Sequence, residues 1–134
     1  MNIAILGVRG SRLDENERDK AFETIVKIVD KFAIPNLKLM TMHSPNGGIN
    51  AMVEMFAESN KIVCESYEYG KSIFDWKEAN KQMADDCDVL FCLTTKIKKE
   101  QCHHCHDFTH ETTGGCFALK EAKDKGKKTK LIIL

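Results

Sequence analysis

The residues of this sequence best suited to chemistry are cysteines and histidines concentrated near its C-terminal end. Cys102 and Cys105 form a C-x-x-C pair, and His106, His110 and Cys116 follow at short intervals. Two thiolates presented by one tight turn, with two further ligands from nearby, suit the tetrahedral coordination of zinc. The spacing therefore predicts a zinc cofactor, or another soft metal, held by ligands drawn from these five residues. A loop carrying free thiols is the alternative interpretation.

Other functions are open to such a cluster. It is one residue longer than a retroviral-type zinc knuckle, which would make the chain a nucleic-acid-binding module, although such modules also need exposed aromatic and basic residues. A metal with an open coordination position could instead activate water for hydrolysis, with Asp107, Glu111 or a histidine not bound to the metal as the general base. Because Cys116 falls at the start of a predicted helix, the sequence favours a third arrangement, in which the metal cluster holds a segment over the edge of a ligand site.

Three turns rich in glycine and small polar residues form the second group of candidates. Each lies between a predicted strand and the next helix, so all three should meet at the carboxyl edge of a parallel sheet. Glycine lets backbone N–H groups approach an anion, the following helix N-terminus adds a favourable dipole, and an arginine could add a bidentate guanidinium. The candidate ligand-binding residues are Gly7, Arg9, Gly10 and Ser11 in the first turn, Asn46, Gly47 and Gly48 in the second, and Thr113, Gly114 and Gly115 in the third.

These turns do not match the common phosphate-binding motifs. Neither G-x-G-x-x-G nor G-x-x-x-x-G-K-[ST] occurs, which argues against a dinucleotide dehydrogenase and a Walker-type NTPase. Any one of the three could be no more than a tight turn. Their shared position at one sheet edge is what predicts a site for a phosphate-bearing ligand.

The elements that must position these residues alternate between strands and helices. Short apolar runs at about 2–6, 37–42, 62–64, 89–93 and 131–134 predict five strands, and apolar residues at helical spacing predict four helices between them. This order predicts a Rossmann-like α/β sandwich around a five-stranded parallel sheet, with strand order 3-2-1-4-5. A loop over about 94–113, long enough to be functional, precedes the last helix and carries most of the Cys/His cluster.

Length and composition fit a single domain over residues 1–134. The chain is 43% hydrophobic and 30% charged, which excludes a disordered protein. No apolar run approaches a bilayer span and the opening run is too short for a signal peptide, so we expect no membrane partner. Cys64, Cys87 and Cys92 in apolar surroundings favour a reducing cytoplasm. A formal net charge of zero argues against a nucleic-acid partner, whereas a homo-oligomer is compatible with these features.

Outside the Cys/His insertion, the chain resembles the SLOG superfamily of Rossmann-like domains, which includes the lonely-guy phosphoribohydrolases and the DNA-processing protein. Four short motifs carry the resemblance, each with departures. Gly7-Val8-Arg9 is similar to its G-x-R, and Asn46-Gly47-Gly48-Ile49-Asn50-Ala51 to its G-G-x-D-x-x-A, with Asn50 in place of the acid. Asn80 and Met83 match R-N-x-x-M with Ala79 replacing the arginine, and Thr113-Gly114-Gly115 matches P-G-T at its glycine alone.

The resemblance implies a nucleotide or nucleotide-derived ligand, with its phosphates on the glycine turns and Asn50 and Asn80 in the site. Aligned with the related phosphoribohydrolases and nucleoside deoxyribosyltransferases, the catalytic glutamate falls at Ala118, which has no chemistry. A shifted register places Glu121 there. We therefore expect a nucleotide sensor or sequestering protein. The alternative is a hydrolase or transferase acting on a nucleotide N-glycosidic bond, with Glu121 as its catalytic residue.

Overall fold

Five parallel strands form the centre of the molecule in the computed structural model, which describes residues 1–32, 35–104 and 109–134. They are β1 (Asn2–Gly7), β2 (Lys38–Met42), β3 (Val63–Tyr67), β4 (Val89–Thr94) and β5 (Lys128–Ile133). Their order in the sheet is β3-β2-β1-β4-β5. This confirms the predicted fold class and strand order.

Four helices cover the two faces of the sheet. They are α1 (Glu15–Lys31), α2 (Ile49–Ser59), α3 (Ile73–Asp86) and α4 (Gly115–Asp124). Buried side chains of α1 and α2 pack with one set of strand side chains, and those of α3 and α4 pack with the other. The interior strand β4 is buried along its whole length because both of its faces are covered. Among the described residues, no helix has the length and apolar content needed to span a membrane.

Two strand predictions were wrong at their ends. β3 continues to Tyr67, beyond the predicted end at about residue 64, and β5 begins at Lys128 rather than Leu131. Both are edge strands with partly exposed residues along their length. Edge strands tolerate polar side chains. These interrupt the continuous apolar run that is used to predict a buried strand, so the strand ends were misplaced.

The four helices begin in two different ways. Asp14 forms a capping box with Glu17 at the start of α1, and the Ser72 hydroxyl accepts from a backbone N–H at the start of α3. By contrast, the residues that precede α2 and α4 are Gly48 and Gly114, neither of which has a side chain to cap the helix. At α4 the Thr113 hydroxyl accepts from the Gly115 N–H at 3.2 Å, whereas α2 has no side-chain cap within the described part of the chain.

Candidate functional site

A cleft of about 560 Å³ lies beyond the carboxyl ends of β1 to β4. Its walls come from the segments that follow these four strands. The chain runs from β1 outward to β3 and then crosses to the other side of β1, so the cleft lies where the strand order reverses. Ligands of open α/β sheets bind at this position, and the volume is in the range of small-molecule sites.

Most of the predicted ligand-binding residues meet in this cleft. Three do not line it: Gly10 is buried in the first turn, Ser11 is exposed outside the cleft, and Gly48 packs against the backbone of Val8 and Arg9. A β-carbon at Gly48 would lie 2.4 Å from the Val8 carbonyl oxygen, so glycine is needed there for close packing rather than for ligand contact. The predicted residues that line the cleft are Gly7, Arg9, Asn46, Gly47, Asn50, Asn80, Thr113, Gly114 and Gly115.

One side of the cleft is suited to an anion. Arg9 and Lys71 both line it, and neither forms an ion pair with any described residue. Gly47 and the start of α2 lie on the same wall. This wall therefore carries positive charge that no described residue neutralises.

Asn50 and Asn80 have local hydrogen-bonding roles as well as positions in the cleft. The Asn50 Oδ1 atom accepts from the Gly7 backbone N–H at 3.1 Å, which joins α2 to the end of β1. The Asn80 Nδ2 atom donates to the Trp76 carbonyl oxygen at 2.8 Å, one turn earlier in α3. The Asn50 Nδ2 atom also lies 3.4 Å from the phenol oxygen of Tyr69. Burial raises the pKa of this phenol, so Tyr69 presents a neutral hydroxyl group at the cleft.

The opposite side of the cleft is aromatic. The Trp76 ring centroid lies 5.1 Å from that of Phe117 and 5.9 Å from that of His104, and the His103 and His104 rings are 4.1 Å apart. A β-carbon at Gly114 would lie 2.8 Å from the Trp76 ring, so glycine lets the ring reach the start of α4. Burial lowers the pKa of the His104 imidazole, which favours its neutral form. We call Trp76, His103 and His104 the aromatic wall.

Behind the aromatic wall lies a cluster that could hold a metal ion. The Cys102 and Cys116 sulfur atoms and one ring nitrogen of His110 all lie within 4.8 Å of one another. All three residues are buried. The Cys116 Sγ and His110 Nε2 atoms are 3.8 Å apart, close to the separation of about 3.6 Å expected for sulfur and nitrogen ligands of one tetrahedral zinc. The predicted ligands Cys105 and His106, and the candidate base Asp107, lie outside the described residues.

The hydrogen bonding of His110 prepares it as a ligand. Its Nδ1 atom lies 2.9 Å from the Glu111 carbonyl oxygen, which can only accept, so Nδ1 is the donor there, and the Nε2 atom lies 3.8 Å from the Cys116 sulfur. Cys116 belongs to α4, and its sulfur also lies 3.8 Å from that of Cys92 on β4. The cluster is thus part of the domain core and not a separate knuckle.

The segment between β4 and α4 is organised by a buried carboxylate. Glu111 accepts backbone N–H bonds from Lys98, Lys99 and Glu100 and pairs with Arg12, which lines the cleft. Burial by itself would raise the pKa of Glu111, but these donors and the Arg12 charge hold it below its usual value. Isolated antiparallel bridges add further order. The described residues of the predicted loop over about 94–113 are therefore ordered by a buried side chain, without forming a regular helix or strand after Thr94.

Glu121 lies away from the cleft. It is in the second half of α4, partly buried, and does not line the cleft. Ala118, the alternative position for the glutamate, is fully buried. Of the described residues that line the cleft, Glu100 is the one carboxylate, and its oxygen lies 3.7 Å from the His103 Nδ1 atom.

Sequence reasoning missed the aromatic wall and the Arg12–Glu111 pair. A signal for the first existed, because Trp76 is the single tryptophan of the chain and precedes Asn80 by one helical turn. No local signal exists for the second, because the two residues are 99 positions apart.

No family model, curated protein sequence or solved structure matches this chain. The resemblance to the SLOG superfamily therefore stays a prediction, and the functional argument rests on the geometry of the cleft.

Proposed function

We propose that this protein binds a nucleotide or nucleotide-derived small molecule in the cleft, as a sensor or sequestering protein. The observation that carries the proposal is the composition of one cavity. On one side lie Arg9, which has no ion-pair partner among the described residues, and the start of α2, and on the other side lie aromatic rings. A ligand that carries both a phosphate and a planar ring would satisfy both sides.

Binding without turnover is favoured by the positions of the carboxylates. Hydrolysis of an N-glycosidic bond needs an acidic side chain at the sugar. Glu121 lies outside the cleft, and the other position predicted for the catalytic glutamate is occupied by Ala118, which has no acidic group. Glu111 is fully buried and held ionised by Arg12 and backbone donors, so it cannot approach a ligand. Glu100 beside His103 is the feature that supports the alternative enzyme function.

We also assign zinc to the cluster of Cys102, His110 and Cys116, as a metal that holds the cleft together. Thiolate and imidazole ligands suit zinc, and the buried position suits a structural site with all positions filled by protein. Cys105 or His106 would supply the fourth ligand. Bound there, zinc would join the segment that precedes the aromatic wall residues His103 and His104 to the first turn of α4.

Replacing Arg9 with alanine should weaken binding of the best ligand in a panel of ribonucleoside monophosphates by about 1.5–3 kcal/mol. This is the usual loss for a hydrogen bond to a charged group, and Arg9 has no other ion-pair partner among the described residues. Isothermal titration calorimetry measures the change. Lys27→Ala, which removes an exposed positive charge from α1, is the matched control and should bind normally. Equal affinity of the unaltered protein, Arg9→Ala and Lys27→Ala would show that Arg9 does not contribute to ligand binding.

Incubation of the protein with the same nucleotides should release no free base. Chromatography of the mixture after prolonged incubation tests this expectation, with Glu121→Gln and Glu100→Gln as variants. Base release that disappears in Glu121→Gln would establish the enzyme predicted from the shifted register. Release that disappears only in Glu100→Gln would place the catalytic carboxylate in the cleft itself.

A further inference from the structure

The aromatic wall has more ring surface than the packing of the domain requires. Trp76 packs on Phe117 and Gly114, which accounts for one part of the indole. His104 and His103 then extend the row of rings toward solvent, and the His103 side chain is 61% exposed. Trp76, His103 and His104 all line the cleft, which places this row of residues at its surface.

The two sides of the cleft differ in the chemistry they offer. Arg9, Gly47 and the α2 N-terminus are placed after β1 and β2, whereas the aromatic wall comes from α3 and from the segment after β4. A planar ring stacks favourably on aromatic side chains, with little dependence on which base it is. A phosphate prefers the arginine and backbone N–H groups.

We propose that the aromatic wall is a stacking subsite for the heteroaromatic base of the ligand, with the phosphate held across the cleft at Arg9. This inference rests on the proposed function and fixes the orientation of the ligand within it. The base is held mainly through its flat face, so the subsite selects nucleotides over sugar phosphates more strongly than it selects one base over another.

The test compares ribonucleoside monophosphates with ribose 5-phosphate, which keeps the phosphate and lacks the base. We expect the best nucleotide to bind roughly 5- to 150-fold more tightly than ribose 5-phosphate, the range that corresponds to stacking of one base on an aromatic side chain. The Trp76→Leu variant should lose most of this difference because leucine preserves apolar packing on Phe117 without a flat ring. The matched control Trp76→Phe keeps a ring and should retain most of it.

Fluorescence provides a measurement that needs no variant. Since Trp76 is the single tryptophan, a stacked base should change its emission directly, whereas ribose 5-phosphate should leave the emission nearly unchanged. His104→Leu, compared with His104→Phe, repeats the test on the second ring should Trp76→Leu fail to fold.

The outcomes separate the two proposals. Equal affinity for nucleotides and ribose 5-phosphate would overturn the stacking subsite and leave the phosphate site standing. A nucleotide preference that survives both leucine variants, with unchanged emission, would also overturn it. Failure of every nucleotide and of ribose 5-phosphate to bind would overturn the proposed function itself.

Discussion

The Cys102→Ser variant should be purified with less than about a tenth of an equivalent of zinc, where the unaltered protein carries about one. Structural zinc sites contribute roughly 10–16 kcal/mol of apparent binding free energy at neutral pH, and loss of one thiolate removes a large share of it. In the sequence, the proposed metal ligands Cys102, His110 and Cys116 flank two segments that line the cleft, 103–104 and 112–115. We therefore expect nucleotide affinity to fall roughly 10-fold in the same variant.

The control for this variant is Cys64→Ser, which alters a partly buried cysteine on β3, away from the cluster. It should keep its metal and its ligand affinity. Elemental analysis after purification without chelators measures the metal, and circular dichroism should show that both variants keep the fold, since all five strands lie outside the cluster. Less than about a tenth of an equivalent of zinc in the unaltered protein would contradict the zinc assignment.

The Glu111→Gln variant should lower the free energy of unfolding by about 3–5 kcal/mol, the usual cost of breaking a buried ion pair. The carboxylate side chain is fully buried, whereas the Arg12 side chain is 17% exposed. Glutamine cannot neutralise Arg12, and its amide group presents an N–H donor among backbone donors. Urea unfolding monitored by Trp76 fluorescence gives the difference directly.

The matched control is Glu65→Gln, which breaks the Lys38–Glu65 pair, whose side chains are 32% and 45% exposed. Such pairs contribute about 0–1 kcal/mol. A loss in Glu111→Gln no larger than in this control would show that Glu111 does not organise the segment.

Acid should reduce the stability that Glu111 provides. Because the folded-state pKa of Glu111 lies below its ordinary value, its contribution is complete above the unfolded-state pKa of about 4.3 and decreases as the pH falls through the lower folded-state pKa. The difference in unfolding free energy between the unaltered protein and Glu111→Gln should therefore be constant near pH 7 and smaller near about pH 3. A difference that grows in acid would contradict this assignment of charge.

The sequence by itself determined the architecture of the domain. The strands β1, β2 and β4 are buried, so their apolar runs were visible without a structure, and amphipathic helices between them left few topologies. The same reasoning placed Arg9, Gly47 and Gly114 at one edge of the sheet, because residues after parallel strands must emerge together. It also identified Cys102, His110 and Cys116 as one group, since short spacing along the chain limits how far apart they can lie.

Only the tertiary structure decided which of these residues share a surface and what accompanies them. The pairing of Arg12 with Glu111 joins segments that are far apart in the chain, and no periodicity encodes such a contact. Trp76 has the spacing of an ordinary core residue of α3, and its approach to Gly114 and His104 depends on how α3 packs beside α4. Local patterns report the burial of a residue's own element, whereas a cleft is built from side chains whose neighbours are set by the packing of separate elements.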